Sequence, residues 1–285
     1  MNFEETYIKT NGVRLHVMQA GPKTGPPIVL LHGLPEYWYC WRRQIPALTA
    51  AGCRVIIPDQ RGYNLSDKPK GVKAYRIHEL VNDVIGLIDA LEYEKVNLAG
   101  HDWGGMIAWA LGIWKPKRLH RLGILNVPHP AVMVRFLSRD LEQIRRSWYV
   151  FLFQLSGLPE AGLRARSWRW MERALRGSGK AHTFTHGDFK EYKQAWSQPG
   201  ALTAMLNWYR AALQYRPSLP KQPRVRVPTL MLWGMQDAAL THRMARPSMD
   251  YCDDGKLVLF EDATHWVQLD AADEVNRLLI EFFKG

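Results

Sequence analysis

The sequence predicts an α/β protein with a doubly wound, mostly parallel sheet and an all-helical segment inserted late in the chain. Short apolar runs of the buried-strand type alternate with helical patterns before residue 130 and again after residue 224. Between these parts the strand pattern disappears and only helical patterns rich in Arg, Trp and Leu remain. We therefore expect a core made of residues 1–130 and 224–285, with residues 131–223 forming a helical lid over the carboxyl ends of the strands.

Periodicity and turn residues define the elements before the lid. Asn11-Gly12 between two alternating runs is a strong hairpin signal. Continuous apolar runs predict buried strands, and apolar residues at helical spacing predict helices. In chain order, these signals predict a hairpin over 5–19, a strand at 27–31, a helix at 41–51, a strand at 54–58, a helix between 75 and 91, a strand at 96–99 that leads into a helix, and a strand at 121–126.

The lid and the last part of the chain are defined in the same way. Gly- and Pro-containing breaks at 157–159, 177–179 and 199–200 divide the helical patterns of the lid. Strands are expected at 229–233 and 256–260, followed by a helix at 271–283.

Composition narrows the class of protein. A chain of 285 residues with 47% hydrophobic content is long enough to bury one large core together with a lid. It has no apolar run near the roughly 20 residues that span a bilayer, and its first residues are polar. Cys40, Cys53 and Cys252 are scattered and odd in number, which is typical of free thiols in a reducing compartment. We expect a cytoplasmic protein.

The net charge of +11 raises the possibility of a nucleic-acid or membrane partner. Between Arg135 and Lys180, ten basic residues accompany four acids, and Arg and Trp are interleaved around Trp168 and Trp170. We interpret this stretch as a solvated helix face with its aromatic side chains turned inward. Because no nucleic-acid-binding motif accompanies the charge, we expect neither a nucleic-acid nor a membrane partner.

The strand at 96–99 leads into the pentapeptide Gly100-His101-Asp102-Trp103-Gly104. This pentapeptide matches the G-x-S-x-G nucleophile elbow of the α/β-hydrolase fold, with an aspartate in the serine position. Glycines flank the nucleophile because side chains there would collide with the strand and helix that the elbow joins.

Three further strands end in polar or reactive residues, and active sites of such sheets lie where the strands end. His32-Gly33-Leu34-Pro35 follows the strand at 27–31, Asp237 follows the strand at 229–233, and His265 follows the strand at 256–260. Nucleophile, acid and histidine therefore occur in the order that the α/β-hydrolase fold uses.

An aspartate nucleophile changes the chemistry. A carboxylate is already ionised at neutral pH, and its attack on a saturated carbon bearing a leaving group gives a stable alkyl ester on Asp102. Attack on an ester would give a labile anhydride, so ester hydrolysis is a poor match. Water activated by His265 can hydrolyse the alkyl ester, with Asp237 orienting the imidazole. Backbone N–H groups of Trp103 and Leu34 are the expected oxyanion hole.

These motifs resemble the soluble epoxide hydrolases, a family in which HGxP, GHDWGG, a late Asp and a late His recur. The resemblance covers essentially the whole chain. It implies that His32, Pro35 and Trp103 line the substrate site, that the substrate is a small apolar epoxide attacked with water, and that no cofactor is needed. One departure is Asn64, where the family usually has Gly; Asn also tolerates a left-handed backbone.

The family also opens the epoxide ring with two lid tyrosines. The resemblance assigns one of them to Tyr209, in Asn-Trp-Tyr-Arg, and the other to Tyr149, which lies four residues before a Phe-Gln pair. Tyr215 and Tyr192 are the alternatives. Phenols remain protonated at neutral pH and can donate to the departing oxygen.

Two other classes share part of this pattern. Haloalkane dehalogenases use the same nucleophile and hold the halide with the Trp after it and often an Asn in the HGxP turn, where this chain has Leu34; fluoroacetate dehalogenases carry Arg in place of Trp103. A non-catalytic binding protein of the same fold usually loses part of the triad.

His182 and His186 lack the further ligands of a zinc site, and Gly104-Gly105 is no dinucleotide fingerprint. We expect no metal, and the oligomeric state stays open.

Overall fold

The computed structural model describes residues 3–216 and 219–285. Eight strands form one sheet within these residues, in the order β1-β2-β4-β3-β5-β6-β7-β8. β1 and β2 are antiparallel to their neighbours, and all other pairs are parallel. The strands are β1 (Glu4–Thr10), β2 (Val13–Ala20), β3 (Pro27–Leu31), β4 (Arg54–Pro58), β5 (Val96–His101), β6 (Leu119–Leu125), β7 (Thr229–Gly234) and β8 (Gly255–Phe260).

Helices cover the sheet and fill the interval between β6 and β7. Those outside this interval are α1 (Ile45–Ala50), α2 (Ile77–Ala90), α3 (Trp103–Trp114), α10 (Ala245–Met249), α11 (Val267–Asp270) and α12 (Ala272–Lys284). Those within it are α4 (Pro130–Arg139), α5 (Leu141–Arg146), α6 (Trp148–Leu152), α7 (Leu158–Ser178), α8 (His186–Trp196) and α9 (Ala201–Gln214). Short 3₁₀ turns lie at Trp38–Trp41, Val72–Tyr75, Pro116–Arg118 and His242–Met244.

The predicted doubly wound, mostly parallel sheet is confirmed. The hairpin turns at Asn11 and Gly12, both at positive φ (43° and 74°), as a two-residue turn requires. Asn64 also lies at positive φ, 39°, and its side chain donates to Asp59 at 2.7 Å. The single helix expected over 41–51 is wrong, because the chain forms a 3₁₀ turn first and α1 begins only at Ile45, with a proline in its first turn.

The lid region contains helices and no strand in residues 130–216 and 219–228. Its breaks coincide with the predicted Gly and Pro positions, since Gly157 precedes α7 and Gly200 precedes α9. The expectation that the aromatic residues of α7 turn inward is only half right: Trp168 is 8% exposed, but Trp170 is 54% exposed. Residues two apart point about 200° away from each other on an α-helix, so the two rings cannot lie on one helical face. The helix is also interrupted at Arg166, Ser167 and Trp168, which have positive φ.

Two apolar layers pack on the sheet. One contains α1 and α12, and the other contains α2 and α3 together with aromatic side chains of the lid. The lid therefore shares a core with the strands whose carboxyl ends it covers. In the described residues, no helix is long and apolar enough to cross a membrane. The domain limits at 130/131 and 223/224 and a cytoplasmic location stay predictions.

Candidate active site

Asp102 lies at the sharp turn between β5 and α3. Its backbone is strained, with φ 51° and ψ −120°, a region that side-chain-bearing residues rarely adopt. α3 starts almost in contact with β3. The glycine at position 104 permits this contact, because a Cβ there would collide with the carbonyl oxygen of Leu31. The Asp102 side chain keeps 17% exposure, so the carboxylate at this turn is not fully enclosed.

The turn after β3 holds one oxygen of this carboxylate. The Leu34 N–H donates to Asp102 Oδ1 at 2.9 Å. The approach depends on Gly33, because a Cβ at that position would collide with the Asp102 side chain. The other oxygen, Oδ2, faces His265 Nε2 at 3.7 Å. The two oxygens of Asp102 thus have different surroundings, one bound to a backbone donor and the other next to an imidazole.

His265 follows β8 and is held from behind by Asp237, which follows β7. His265 Nδ1 lies 2.7 Å from Asp237 Oδ2. The Asp237 carboxylate also accepts hydrogen bonds from the N–H groups of Ala239 and Leu240 at 2.8 and 2.9 Å and from Asn126 Nδ2 at 2.9 Å. Both carboxylate oxygens of Asp237 therefore have hydrogen-bond partners. A carboxylate held in this way fixes the orientation of the His265 imidazole ring.

The charges of this pair shift both pKa values. Burial alone would raise the pKa of Asp237, but His265 and the donated hydrogen bonds outweigh it and hold the pKa below its usual range. Burial alone would lower the pKa of His265, but Asp237, followed by Asp102, outweighs it and raises the pKa to about 9. With Asp102 ionised, the imidazolium form is therefore favoured at neutral pH.

Tyr149 on α6 and Tyr209 on α9 come together above the elbow. Their ring centroids are 5.9 Å apart, and the Tyr209 ring lies edge-on to Trp103 at 5.0 Å. Burial raises the pKa of both phenols, and the negative charge of Asp102 raises them further. Both hydroxyls therefore stay protonated and lie within the electrostatic field of Asp102.

The structure does not bring the two alternative tyrosines to this position. Tyr215 is 40% exposed at the end of α9. Tyr192 on α8 is buried, and its hydroxyl donates to Glu36 at 3.0 Å. Neither ring packs against Trp103, which instead contacts the rings of Trp208 and Tyr209.

Two of the predicted substrate contacts are assigned to buried residues, for which such a contact stays a prediction. The His32 ring is fully buried, its Nε2 accepts from the Gln60 N–H at 3.0 Å, and its Nδ1 lies 3.1 Å from the Gly33 carbonyl. Pro35 is buried as well, and its carbonyl accepts from Trp196 Nε1 at 2.6 Å. Both residues therefore fix the turn from behind. Trp103 is half-buried beside Tyr209, so a substrate contact for it stays a prediction.

Several residues next to the site were given no role by the sequence motifs. Asn126 holds Asp237, and its only signal is that it is the polar residue that ends an apolar run. Glu36 and His101 form a buried pair at 3.1 Å, and His101 Nε2 lies 2.8 Å from the His265 carbonyl oxygen. Glu36 and His101 therefore help to position His265 through its backbone carbonyl. No group of three or more His, Cys, Asp or Glu side chains suited to a metal occurs in residues 3–216 and 219–285.

Known proteins share this fold and these motifs. Residues 26–272 match the protein family described as the alpha/beta hydrolase fold. The chain is 46% identical to the AB hydrolase superfamily protein YfhM of Bacillus subtilis (strain 168) over 280 residues, which cover 98% of this chain and 97% of that protein. It is 35% identical over 286 residues to Epoxide hydrolase 2 of Caenorhabditis elegans, covering 99% of this chain and 80% of that one.

A solved structure gives the same result. The Bacillus megaterium epoxide hydrolase in complex with an inhibitor superposes with a TM-score of 0.91 at 28% identity, covering 98% of this chain and all of that chain (100%). The eight-stranded sheet, the aspartate at the elbow and the two sets of matches agree with one another. The chain therefore belongs to the epoxide hydrolase family of the α/β-hydrolase fold.

Proposed function

We propose that this protein hydrolyses small apolar epoxides to vicinal diols through an alkyl ester on Asp102. The observation that supports this most directly is the division of the Asp102 carboxylate between two partners. Oδ1 is held by the Leu34 N–H at 2.9 Å, and Oδ2 is the oxygen left to react, facing His265 at 3.7 Å. An oxygen that is bound to a backbone donor becomes the carbonyl of the ester, already seated in an oxyanion hole.

In the first step, Asp102 Oδ2 attacks an epoxide carbon and forms a C–O bond. The ring C–O bond breaks, and its electron pair goes to the epoxide oxygen. Tyr149 or Tyr209 gives that oxygen a proton, so the product is a hydroxyalkyl ester and the donor becomes a tyrosinate. Because an alkoxide is a poor leaving group, the ring opens readily only when such a donor is in place.

In the second step, water attacks the carbonyl carbon of the Asp102 ester. Ester formation removes the negative charge of Asp102, which is one of the causes that raise the pKa of His265, so this pKa falls. The imidazolium proton returns through solvent to the tyrosinate, and the neutral imidazole takes a proton from the attacking water. The N–H groups of Leu34 and Trp103 hold the tetrahedral oxyanion, which collapses to the diol and the Asp102 carboxylate.

Haloalkane dehalogenation uses the same nucleophile and is the second candidate. It needs donors for a departing halide, but Leu34 in the turn after β3 offers no side-chain donor. A pair of buried phenols suits an alkoxide that must be protonated, whereas a halide leaves without a proton. The relatives named as epoxide hydrolases favour the same choice.

A single-turnover reaction in ¹⁸O-labelled water tests the proposal. With enzyme in excess over a styrene-type epoxide, the first diol should contain unlabelled oxygen, because one oxygen comes from Asp102. Repeated turnovers should then introduce the label, since water replaces the carboxylate oxygen in each cycle. Label in the first diol would contradict the ester. A bromoalkane and an aryl ester, assayed in parallel, should turn over much more slowly than the epoxide.

A further inference from the structure

The outer surface of the lid carries most of the large apolar side chains that this protein exposes. Among the described residues, fourteen large apolar side chains are exposed, and nine of them lie between residues 134 and 170. These nine are Val134, Leu137, Leu141, Trp148, Phe151, Leu152, Leu155, Leu158 and Trp170, with exposed fractions from 37% to 71%. Such a concentration is unusual for a surface that faces only water.

Part of this apolar surface lies on the helix that carries Tyr149 at the candidate site. On α6, Tyr149 and the adjoining Phe153 face Tyr209, with ring centroids 5.9 and 5.2 Å from it. Trp148 and Phe151, on the same short helix, are 64% and 60% exposed. The helix is therefore apolar on both sides, and one side is left exposed by residues 3–216 and 219–285.

The same segment has an excess of positive charge that no acid neutralises. Residues 134–173 contain eight arginines and four acids. Each acid already pairs with a cation: Asp140 with Arg243, Glu142 with Arg146 and Arg243, Glu160 with Arg210, and Glu172 with Arg176 and Lys193. Seven exposed arginines have no carboxylate partner in the part of the chain that the structure describes: Arg135, Arg139, Arg145, Arg164, Arg166, Arg169 and Arg173.

Against the expectation from the sequence that the protein has no membrane partner, we propose that this outer lid surface, residues 134–173, docks on the surface of an anionic lipid bilayer. Six of the nine exposed apolar side chains are aliphatic and three are aromatic, a composition suited to the headgroup and acyl boundary. Arginines can reach the lipid phosphates while their stems lie along the apolar surface. The protein does not span the membrane in this arrangement; it rests on it.

Charge argues against the other occupants. A second copy of the chain in a two-fold interface would place the same arginine-rich surface against itself, without free carboxylates to pair with. Nucleic acid would match the arginines but would leave the aliphatic side chains against a charged backbone. An anionic bilayer matches both features. It also places the lid next to the phase in which apolar epoxides concentrate, although the docking itself does not depend on the proposed reaction.

Vesicle sedimentation tests the proposal. The full chain is mixed with vesicles of phosphatidylcholine alone or of phosphatidylcholine with one-quarter phosphatidylglycerol. We expect binding to the anionic vesicles, little binding to the neutral ones, and release at high salt. Equal binding to both vesicle types, or binding to neither, would overturn the proposal.

Two sets of variants locate the surface. Arg135→Gln, Arg139→Gln and Arg145→Gln together should lower the binding constant roughly a hundredfold. The matched control replaces the exposed Lys9, Lys117 and Lys256 by Gln, which changes the net charge equally but on the core. This control should change binding by less than about threefold. Equal losses in both sets would mean that only net charge matters, which contradicts a defined docking surface.

The apolar side chains are tested separately. Leu141→Ser, Leu158→Ser and Trp170→Ser should weaken binding by roughly tenfold or more, because these side chains are expected to leave water on docking. Leu65→Ser with Leu259→Ser, on the core, is the control. All variants should keep their thermal unfolding and epoxide turnover. Analytical ultracentrifugation that shows a dimer disrupted by the lid variants, or tighter binding to duplex DNA than to anionic vesicles, would overturn the proposal in favour of those partners.

Discussion

On the sheet side of the site, each candidate residue follows a strand and is held by hydrogen bonds, whereas on the lid side the two tyrosines lie on helices and are held by ring packing. Asp102, Asp237 and His265 have partners at 2.7 to 2.9 Å. Tyr149 and Tyr209 contact their neighbours through rings whose centroids are 5.0 to 5.9 Å apart. Hydrogen bonds fix direction, but ring packing fixes mainly distance.

This difference assigns the two sides to different parts of the reaction. The sheet side must place a nucleophile, a base and an oxyanion hole to within a few tenths of an ångström, and rigid strand ends suit that task. The lid side must cover the substrate and supply a proton, and helices packed through aromatic rings permit small movements. Variants on the two sides should therefore affect different steps.

The largest effect is expected on the sheet side. His265→Gln should lower turnover by roughly 10²–10⁴-fold, because the base that activates water is lost, while the nucleophile remains. The ester on Asp102 should then accumulate. Intact-mass spectrometry after addition of a styrene-type epoxide should show one adduct with the full mass of the epoxide.

His120→Gln is the matched control, since His120 is an exposed histidine at the surface of β6. It should turn over normally and show no adduct. Loss of turnover in His265→Gln without any adduct would place the defect before ester formation and would contradict the role of His265 as the base.

On the lid side the effect should be smaller and should fall on the first step. Tyr209→Phe is expected to slow ring opening about 10²-fold, because Tyr149 remains as a donor. The rate of ester hydrolysis should be unchanged, since the phenol does not contact the base. Rapid quench under single-turnover conditions separates the two rates.

Tyr215→Phe provides the control, because Tyr215 is 40% exposed and lies outside the site. It should not alter either rate. If Tyr209→Phe instead slowed ester hydrolysis and left ring opening intact, the separation of tasks between the two sides would be wrong.

The difference between the two sides also decides which site residues could be located from the sequence. Strand ends, the elbow and the late Asp and His are local patterns, because each depends on a few adjacent residues at the end of an apolar run. They placed Asp102, Leu34, Asp237 and His265 in one region, and the structure brings these residues together. The helix expected over 41–51 failed because a proline inside its pattern moves the start of α1.

Residues with non-local partners were outside the reach of such patterns. Asn126 contacts Asp237, 111 positions away, and Tyr192 contacts Glu36, 156 positions away. The resemblance gave His32 a substrate contact, whereas the structure shows its buried ring accepting a hydrogen bond from the Gln60 N–H, 28 positions away. The interruption within α7 at residues 165–168 is likewise a feature that no periodicity in the sequence predicts.

The smallest effect expected is on stability, and it again separates the two sides. In the folded chain, burial opposes and Asp237 and Asp102 favour the charged form of His265, and the pKa rises to about 9 from an ordinary 6.5. A raised histidine pKa adds stability that is fully present below pH 6.5 and is lost as pH rises through 9. Between pH 7 and pH 9.5 we expect a loss on the order of 2 kcal/mol in the free energy of unfolding.

Urea unfolding at the two pH values, compared between the native sequence and two variants, isolates this contribution. Other groups also titrate in this range, including the cysteines once the chain is unfolded, so the difference between the native chain and His265→Gln is the relevant quantity. This difference should shrink at pH 9.5. Tyr209→Phe should keep the native pH dependence, because burial holds the pKa of that phenol above the range. If the difference in the free energy of unfolding between the native chain and His265→Gln were the same at both pH values, His265 would be neutral at pH 7. The sheet side would then carry no imidazolium before the substrate binds.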